Sequence, residues 1–152
     1  KQLFYAWVYT AYDKSFSLKI NNRSQTGVGI GVDLLKSTVA SLNLSEGILY
    51  EYSDLLVAAD LEAGNSVQQT VRNSFRMKYT LILKKIIVFQ GSNYWQPSLT
   101  DHTNYIIKMN NSINIKLHKW VFFSVVNVYN KVSNTTKENF LLTYGLTFNK
   151  IF

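Results

Sequence analysis

Hydrophobic and polar residues alternate along much of this chain with a period of two. The last stretch shows it best. Phe140, Leu142, Tyr144, Leu146, Phe148 and Phe152 share one face, and Thr143, Gly145, Thr147 and Asn149 share the other, with a break only at Lys150. Between Val71 and Leu83 the apolar set is Val71, Phe75, Met77, Tyr79, Leu81 and Leu83, joined by one Asn. The opposite set is Arg72, Ser74, Arg76, Lys78 and Thr80. From Tyr105 to Leu117, Tyr105, Ile107, Met109, Ile113, Ile115 and Leu117 alternate with Lys108, Asn110, Ser112, Asn114 and Lys116. Alternation this long means strands with one apolar and one polar face. The best helical window, Leu55 to Ala63, is short and uncapped and reads as a loop with a turn of helix.

The pattern predicts eight strands, near residues 2–11, 25–35, 38–52, 67–83, 86–97, 103–117, 120–131 and 139–152. Short turns fall near Lys36-Ser37, Lys84-Lys85 and His118-Lys119, and longer links at 12–24, 53–66, 98–102 and 132–138. Strands joined this way form an antiparallel up-and-down meander with tight turns at one end and loops at the other. At 152 residues the chain is one domain.

Composition narrows the class. Hydrophobic residues make up 47% and charged residues 16%, against a usual charged share of roughly 25%. That excludes intrinsic disorder. The absence of Cys excludes disulfides and thiolate metal sites. The longest apolar run, Trp120 to Val128, is far short of the ~20 residues of a spanning helix, whereas a spanning strand needs only ~9–11. The formal charge of +7 comes from basic residues that are mostly single and spread along the chain, with no dense Lys/Arg stripe, so nucleic acid is not an expected partner. The chain opens at Lys1. The expectation is that a secretory signal was removed or that further N-terminal sequence precedes it.

The choice between a soluble and a membrane barrel turns on volume. A small barrel has a narrow interior that few side chains fill. Here the apolar face is bulky throughout, while the polar face carries Gly27, Gly29 and Gly31 and small polar residues. The bulky set fits outside, which is the arrangement of a transmembrane β-barrel in an outer membrane. Closing the sheet would satisfy every backbone group, as lipid requires. Tyr5, Trp7, Tyr50, Tyr52, Tyr94, Trp95, Tyr105, Trp120, Tyr129 and Phe152 are expected in aromatic girdles at the two interfaces. Two features resist the pattern. Glu46 falls in the outward register with Leu42, Leu44, Ile48 and Tyr50, and Trp120–Val128 is apolar on both faces.

Three stretches carry a family resemblance: SFSLKINNRSQTGVGIGVDLL with Gly27, Gly29 and Gly31, NYWQPSLTDHTNY with Tyr94, Pro97, Ser98, Leu99 and Asp101, and FLLTYGLTFNKIF with Gly145, Leu146 and Phe152. Together they resemble the YdiY-like outer-membrane family, domain of unknown function 481. The resemblance implies an outer-membrane barrel in a Gram-negative envelope and no established activity. Members usually run longer, with strands ahead of this point, so a C-terminal part of a larger barrel is consistent with it. The final strand, with Tyr144, Gly145, Phe148 and Phe152, also resembles the signal read by the outer-membrane assembly machinery, in which an exposed terminal strand pairs by strand addition.

Chemistry is sparse. His102 lies beside Asp101 and four residues after Ser98, the residue types of a hydrolase triad, but no Gly-x-Ser-x-Gly elbow is present. Two separated His and no Cys do not make a metal site, and GVGIG lacks the spacing of a nucleotide-binding loop. No cofactor is expected. The polar face carries Arg72, Arg76, Lys78, Lys108, Lys116 and Glu51. These read either as charges paired in a packed lumen or as a cation-lined passage favouring anions. The expectation is a non-enzymatic structural or accessory subunit of an envelope complex. Its partners would be outer-membrane lipid, the assembly machinery and other envelope proteins. A small-solute or anion pore in a longer barrel and a lipid-modifying enzyme are the alternatives. Short turns are expected on the periplasmic side and the longer links outside.

Overall fold

The computed structural model describes residues 4–56, 65–135 and 137–148. Among the described residues all of the regular structure is antiparallel strand apart from one 3-10 turn at Ser133–Thr135. The strands are β1 (Phe4–Ser15), β2 (Ile20–Lys36), β3 (Ala40–Leu56), β4 (Asn65–Asn73), β5 (Phe75–Leu83), β6 (Ile87–Pro97), β7 (Tyr105–His118), β8 (Val121–Val132) and β9 (Lys137–Phe148). They form one sheet in the order β1-β2-β3-β5-β6-β7-β8-β9, with β4 also on β3. Ser74 and Gly47 exchange backbone hydrogen bonds of 2.8 and 3.2 Å. The β3 ladder therefore runs from Leu56↔Asn65 to Ala40↔Leu81, and β4 and β5 act as a single strand. The sheet is thus the meander of eight long strands that the alternation predicts.

One link is shorter than expected. The stretch 12–24 is a hairpin whose turn is only 16–19, closed by Lys19 N donating to Phe16 O. Its polarity suggested a loop, but Asp13 and Arg23 are paired strand residues on one face and bond each other at 2.7 Å. β3 likewise runs to Leu56, so the start of the helical window is strand, and 57–64 lie outside the described residues. The β5–β6 hairpin turns at Lys84 and Lys85, with φ of 50° and 57°, and Ile86 N donates to Leu83 O.

The sheet is strongly curled. Tyr5 on β1 meets Arg76 on β5, Gln25 on β2 meets Gln96 on β6, and Asp13 on β1 meets Lys108 on β7. These residues share the concave face. A small apolar cluster of Leu18, Ile20, Leu55, Ile106 and Val132 packs at the end bearing the longer links. β1 and β9 are the two edges, and no ladder joins them among the described residues. Asn139 Nδ2 donates to Ser17 Oγ at 2.7 Å, which brings the two ends of the sheet together.

The faces have the predicted polarity. Phe4, Val8, Ile30, Phe140 and Tyr144 point outward and are exposed, Val8 by 84%. Arg23, Gln25, Glu51, Arg72 and Gln96 point inward and are buried. Tyr5, Trp7 and Tyr94, expected in the girdles, also point inward. The reason is the glycine spacing. A Cβ at Gly29 or Gly47 would meet the Trp7 ring, and one at Gly31 would meet the Tyr5 ring. The alternating glycines thus make room for aromatic side chains inside a narrow barrel. Tyr50, Tyr52, Trp95 and Trp120 are exposed, as a girdle requires, and Phe152 lies outside the described residues.

The two irregular features also resolve. Glu46 does face outward, and Asn73 Nδ2 donates to its Oε1. Asn73 is the residue that interrupts the outward face of its own strand, so two misplaced polar groups satisfy each other. On β8, Phe122, Val126 and Val128 share the inward register with Lys116, Ser112 and Asn110 of β7, giving a partly apolar wall.

Candidate functional site in the barrel interior

The interior is organised in three levels, all built by inward positions of alternating strands. At the long-link end, Arg72 on β4 donates from Nη2 and Nε to the two Glu51 oxygens on β3, at 2.8 and 2.9 Å. Its Nη2 also donates to Asn104 Oδ1, and its Nη1 to the carbonyls of Gln96 and Asn104. Gln25 Nε2 donates to Glu51 Oε2 at 2.6 Å and reaches Gln96 Oε1 at 3.4 Å. This network links β2, β3, β4, β6 and the 98–104 loop. A buried charge pair persists only where hydrogen bonds satisfy its remaining valences, and here they do.

The 98–104 loop is held inward by the same residues that carry the family resemblance. Ser98 is buried, and its hydroxyl accepts from the Thr100 and Asp101 amides. Ser98 N donates to Asn104 O, and Leu99 N donates to Val71 O. Asp101 Oδ1 accepts from the Thr103 hydroxyl and amide, and these bonds hold its carboxyl below the usual carboxylate range. His102 is exposed. Ser98 is thus buried in a ring of turn bonds, and Asp101 is engaged by Thr103. Of the three triad-type residues, Ser98 and Asp101 hold the turn.

The middle level is a cavity of about 350 Å³. Trp7, Tyr9 and Tyr94 form aromatic walls, and Arg76, Lys108 and Gln96 supply polar groups. Arg76 Nη2 donates to the Tyr5 hydroxyl at 2.9 Å, and its guanidinium lies 6.0 Å from the Tyr94 ring centre. Lys108 shares the Asp13 carboxylate with Arg23, at 3.2 and 2.7 Å. The third level, at the short-turn end, is a second hollow of about 310 Å³ lined by Tyr5, Asp33, Lys36, Asn43, Arg76 and Lys78.

Of the charges expected inside, Glu51 and Arg72 bond each other at the long-link end, and Arg76 and Lys108 line the middle cavity. Lys78 sits at the short-turn hollow, and Lys116 is exposed. Sequence reasoning missed Asp13, Arg23, Gln25, Gln96 and Asn104. The first four share the inward register of their strands, a signal obscured where a polar stretch reads as a loop. In the terminal strand, Tyr144 and Phe148 face outward, and Gly145 has nothing within 4 Å of an added Cβ. Phe148 packs on Trp120, with ring centres 5.8 Å apart, and Trp120 meets His118 edge-on. His118 therefore belongs to an aromatic cluster at the short-turn end.

These features define an all-β protein, a curled antiparallel meander with charges inside and apolar side chains outside. The chain belongs to the family described as "Protein of unknown function, DUF481", whose family model matches residues 1–149. No curated protein and no solved structure matched the chain.

Proposed function

We propose that the protein is an outer-membrane β-barrel of a Gram-negative envelope with a plugged lumen, serving a structural or accessory role in an envelope complex. The observation that carries this reading is the inverted distribution of polarity. Arg72, Glu51 and Arg23 are 1–3% exposed, while Val8, Tyr144 and Phe4 are 71–84% exposed. In water that arrangement would leave a large apolar surface solvated and bury charge, both unfavourable. In lipid the same surface is matched to its solvent. Lipid also requires β1 and β9 to pair, since an open edge cannot hydrogen-bond to hydrocarbon, and the Asn139–Ser17 contact already draws those strands together.

The lumen network supports the accessory role over a pore. An eight-stranded barrel has an interior just wide enough for side chains, and here Arg72, Glu51, Gln25 and Gln96 span it. The test has two parts. Expressed in a Gram-negative host behind a secretory signal, the protein should sediment with outer membranes, resist alkaline extraction and need detergent for purification. Reconstituted in planar bilayers it should show no steady ion conductance. A β-rich monomer stable in plain buffer would overturn the membrane reading. Stepwise conductance would replace the accessory role with a pore.

A further inference from the structure

The charges in the lumen do not balance. In the two inner levels four cations, Arg23, Arg72, Arg76 and Lys108, face two carboxylates, Glu51 and Asp13, while Asp33 lines the outer hollow with Lys36 and Lys78. Glu51 is saturated by Arg72 and Gln25, and Asp13 is divided between Arg23 and Lys108. Arg76 has phenol groups for partners, the Tyr5 hydroxyl at 2.9 Å and Tyr94 beside it, and its buried Nε has no hydrogen-bond partner. Arg76 has no carboxylate partner among the described residues. Arg76 is half-buried, and a guanidinium partly removed from water without a counter-charge is under-compensated. The residue nonetheless lines a hollow with free volume, beside a second cation and three aromatic rings.

From this we propose that the middle cavity is a binding site for a small organic anion. A carboxylate or phosphate would pair with Arg76 and Lys108, and an attached ring would stack on Trp7 or Tyr94. The chemistry of each wall points the same way. Arginine presents a planar fork matched to carboxylate and phosphate oxygens. Indole and phenol faces bind flat rings at little entropic cost. The cavity volume of about 350 Å³ falls in the range of ligand pockets, roughly 300–1,000 Å³. Entry is from the short-turn end, because Arg76 lines both hollows and Lys78 and Lys36 line the outer one. The opposite end is closed by the Arg72–Glu51–Gln25–Gln96 network, so the site is a dead-end pocket and not a passage.

The proposal rests on the barrel reading for its setting, and the experiment separates the two. Trp7 is the indole on the cavity wall, while Trp95 and Trp120 are exposed. In a Trp95→Phe, Trp120→Phe background, Trp7 fluorescence of the detergent-purified chain would be titrated with phenyl phosphate, benzoate and neutral benzamide. At least one anion should give a saturable change that benzamide lacks, and the stronger anion distinguishes phosphate from carboxylate. Arg76→Gln and Lys108→Gln should each weaken binding about tenfold or more, the usual loss for a hydrogen bond to a charged group. Arg76→Lys should retain part of it, and Lys116→Gln should leave it unchanged. Equal response to benzamide, or full binding in both Gln variants, would overturn the site. So would a folded, membrane-integrated chain that shows no saturable change. Anion binding by a chain that is soluble without detergent would uphold the site and sink the barrel reading.

Discussion

Arg72 grips Glu51 through two parallel hydrogen bonds of 2.8 and 2.9 Å, with both side chains at most 3% exposed. Removing one partner of such a pair strands the other charge, at a cost of roughly 3–5 kcal/mol. Arg72→Met and Glu51→Leu should each destabilise the barrel by about that much, and the double variant by well under the sum. Urea unfolding in detergent or lipid vesicles measures this. Strict additivity would mean that the two groups act independently.

The glycines differ in the same strand-level sense. A Cβ at Gly47 would press on Trp7 and on the Val28 carbonyl oxygen, whereas one at Gly145 meets nothing within 4 Å. Gly47→Ala should cost about 1–3 kcal/mol, the usual penalty of overpacking. Gly145→Ala should be close to neutral as long as β1 leaves its side of β9 open. A large cost at Gly145 would be evidence that a neighbouring strand covers it in lipid.

Lys84 and Lys85 both adopt positive φ at the centre of the β5–β6 turn, which Ile86 N closes by donating to Leu83 O. A mirror-image type I turn of this kind favours Asn-Gly, and a non-glycine residue in the left-handed region costs roughly 1–2 kcal/mol. The pair Lys84→Asn, Lys85→Gly should raise unfolding stability by about 1–2 kcal/mol. A decrease would indicate that the lysine side chains themselves hold the turn.

Outward and inward positions on β9 should respond differently to charge. Leu146 faces out and Thr147 faces in. Arg at Leu146 should cost ~2–4 kcal/mol near the membrane midplane, and Arg at Thr147 less. Equal costs, or the reverse order, would contradict a lipid-facing Leu146.

Sidedness can be read by single cysteines, since the chain has none of its own. A membrane-impermeant maleimide on intact cells should label His102→Cys, in the 98–104 loop, and spare Ser37→Cys, in a short turn. The opposite pattern would invert the topology.

Much of this architecture is legible in the order of residues alone. Period-two alternation is a local property, because successive side chains on an extended backbone point to opposite faces. The strands near 67–83, 103–117 and 139–152, their inward and outward sets, and the turns at Lys84-Lys85 and His118-Lys119 follow from it directly. The chain itself thus determined an all-β meander with bulky residues on one face and small or polar ones on the other. Which residues meet across the interior is a different matter. Asp13 reaches Lys108 across 95 positions, Tyr5 reaches Arg76 across 71, and Gln25 reaches Gln96 across 71. Those meetings depend on how far the sheet curls and on the stagger between its strands, neither of which leaves a mark on any one strand. Tyr5 and Trp7 show the consequence. By position they resemble interfacial aromatics, but in the folded sheet they lie over Gly31, Gly29 and Gly47 and fill the lumen. Alternation could sort side chains into two faces, but only curvature, which sets the width of the interior, could make one face a packed and charge-unbalanced cavity.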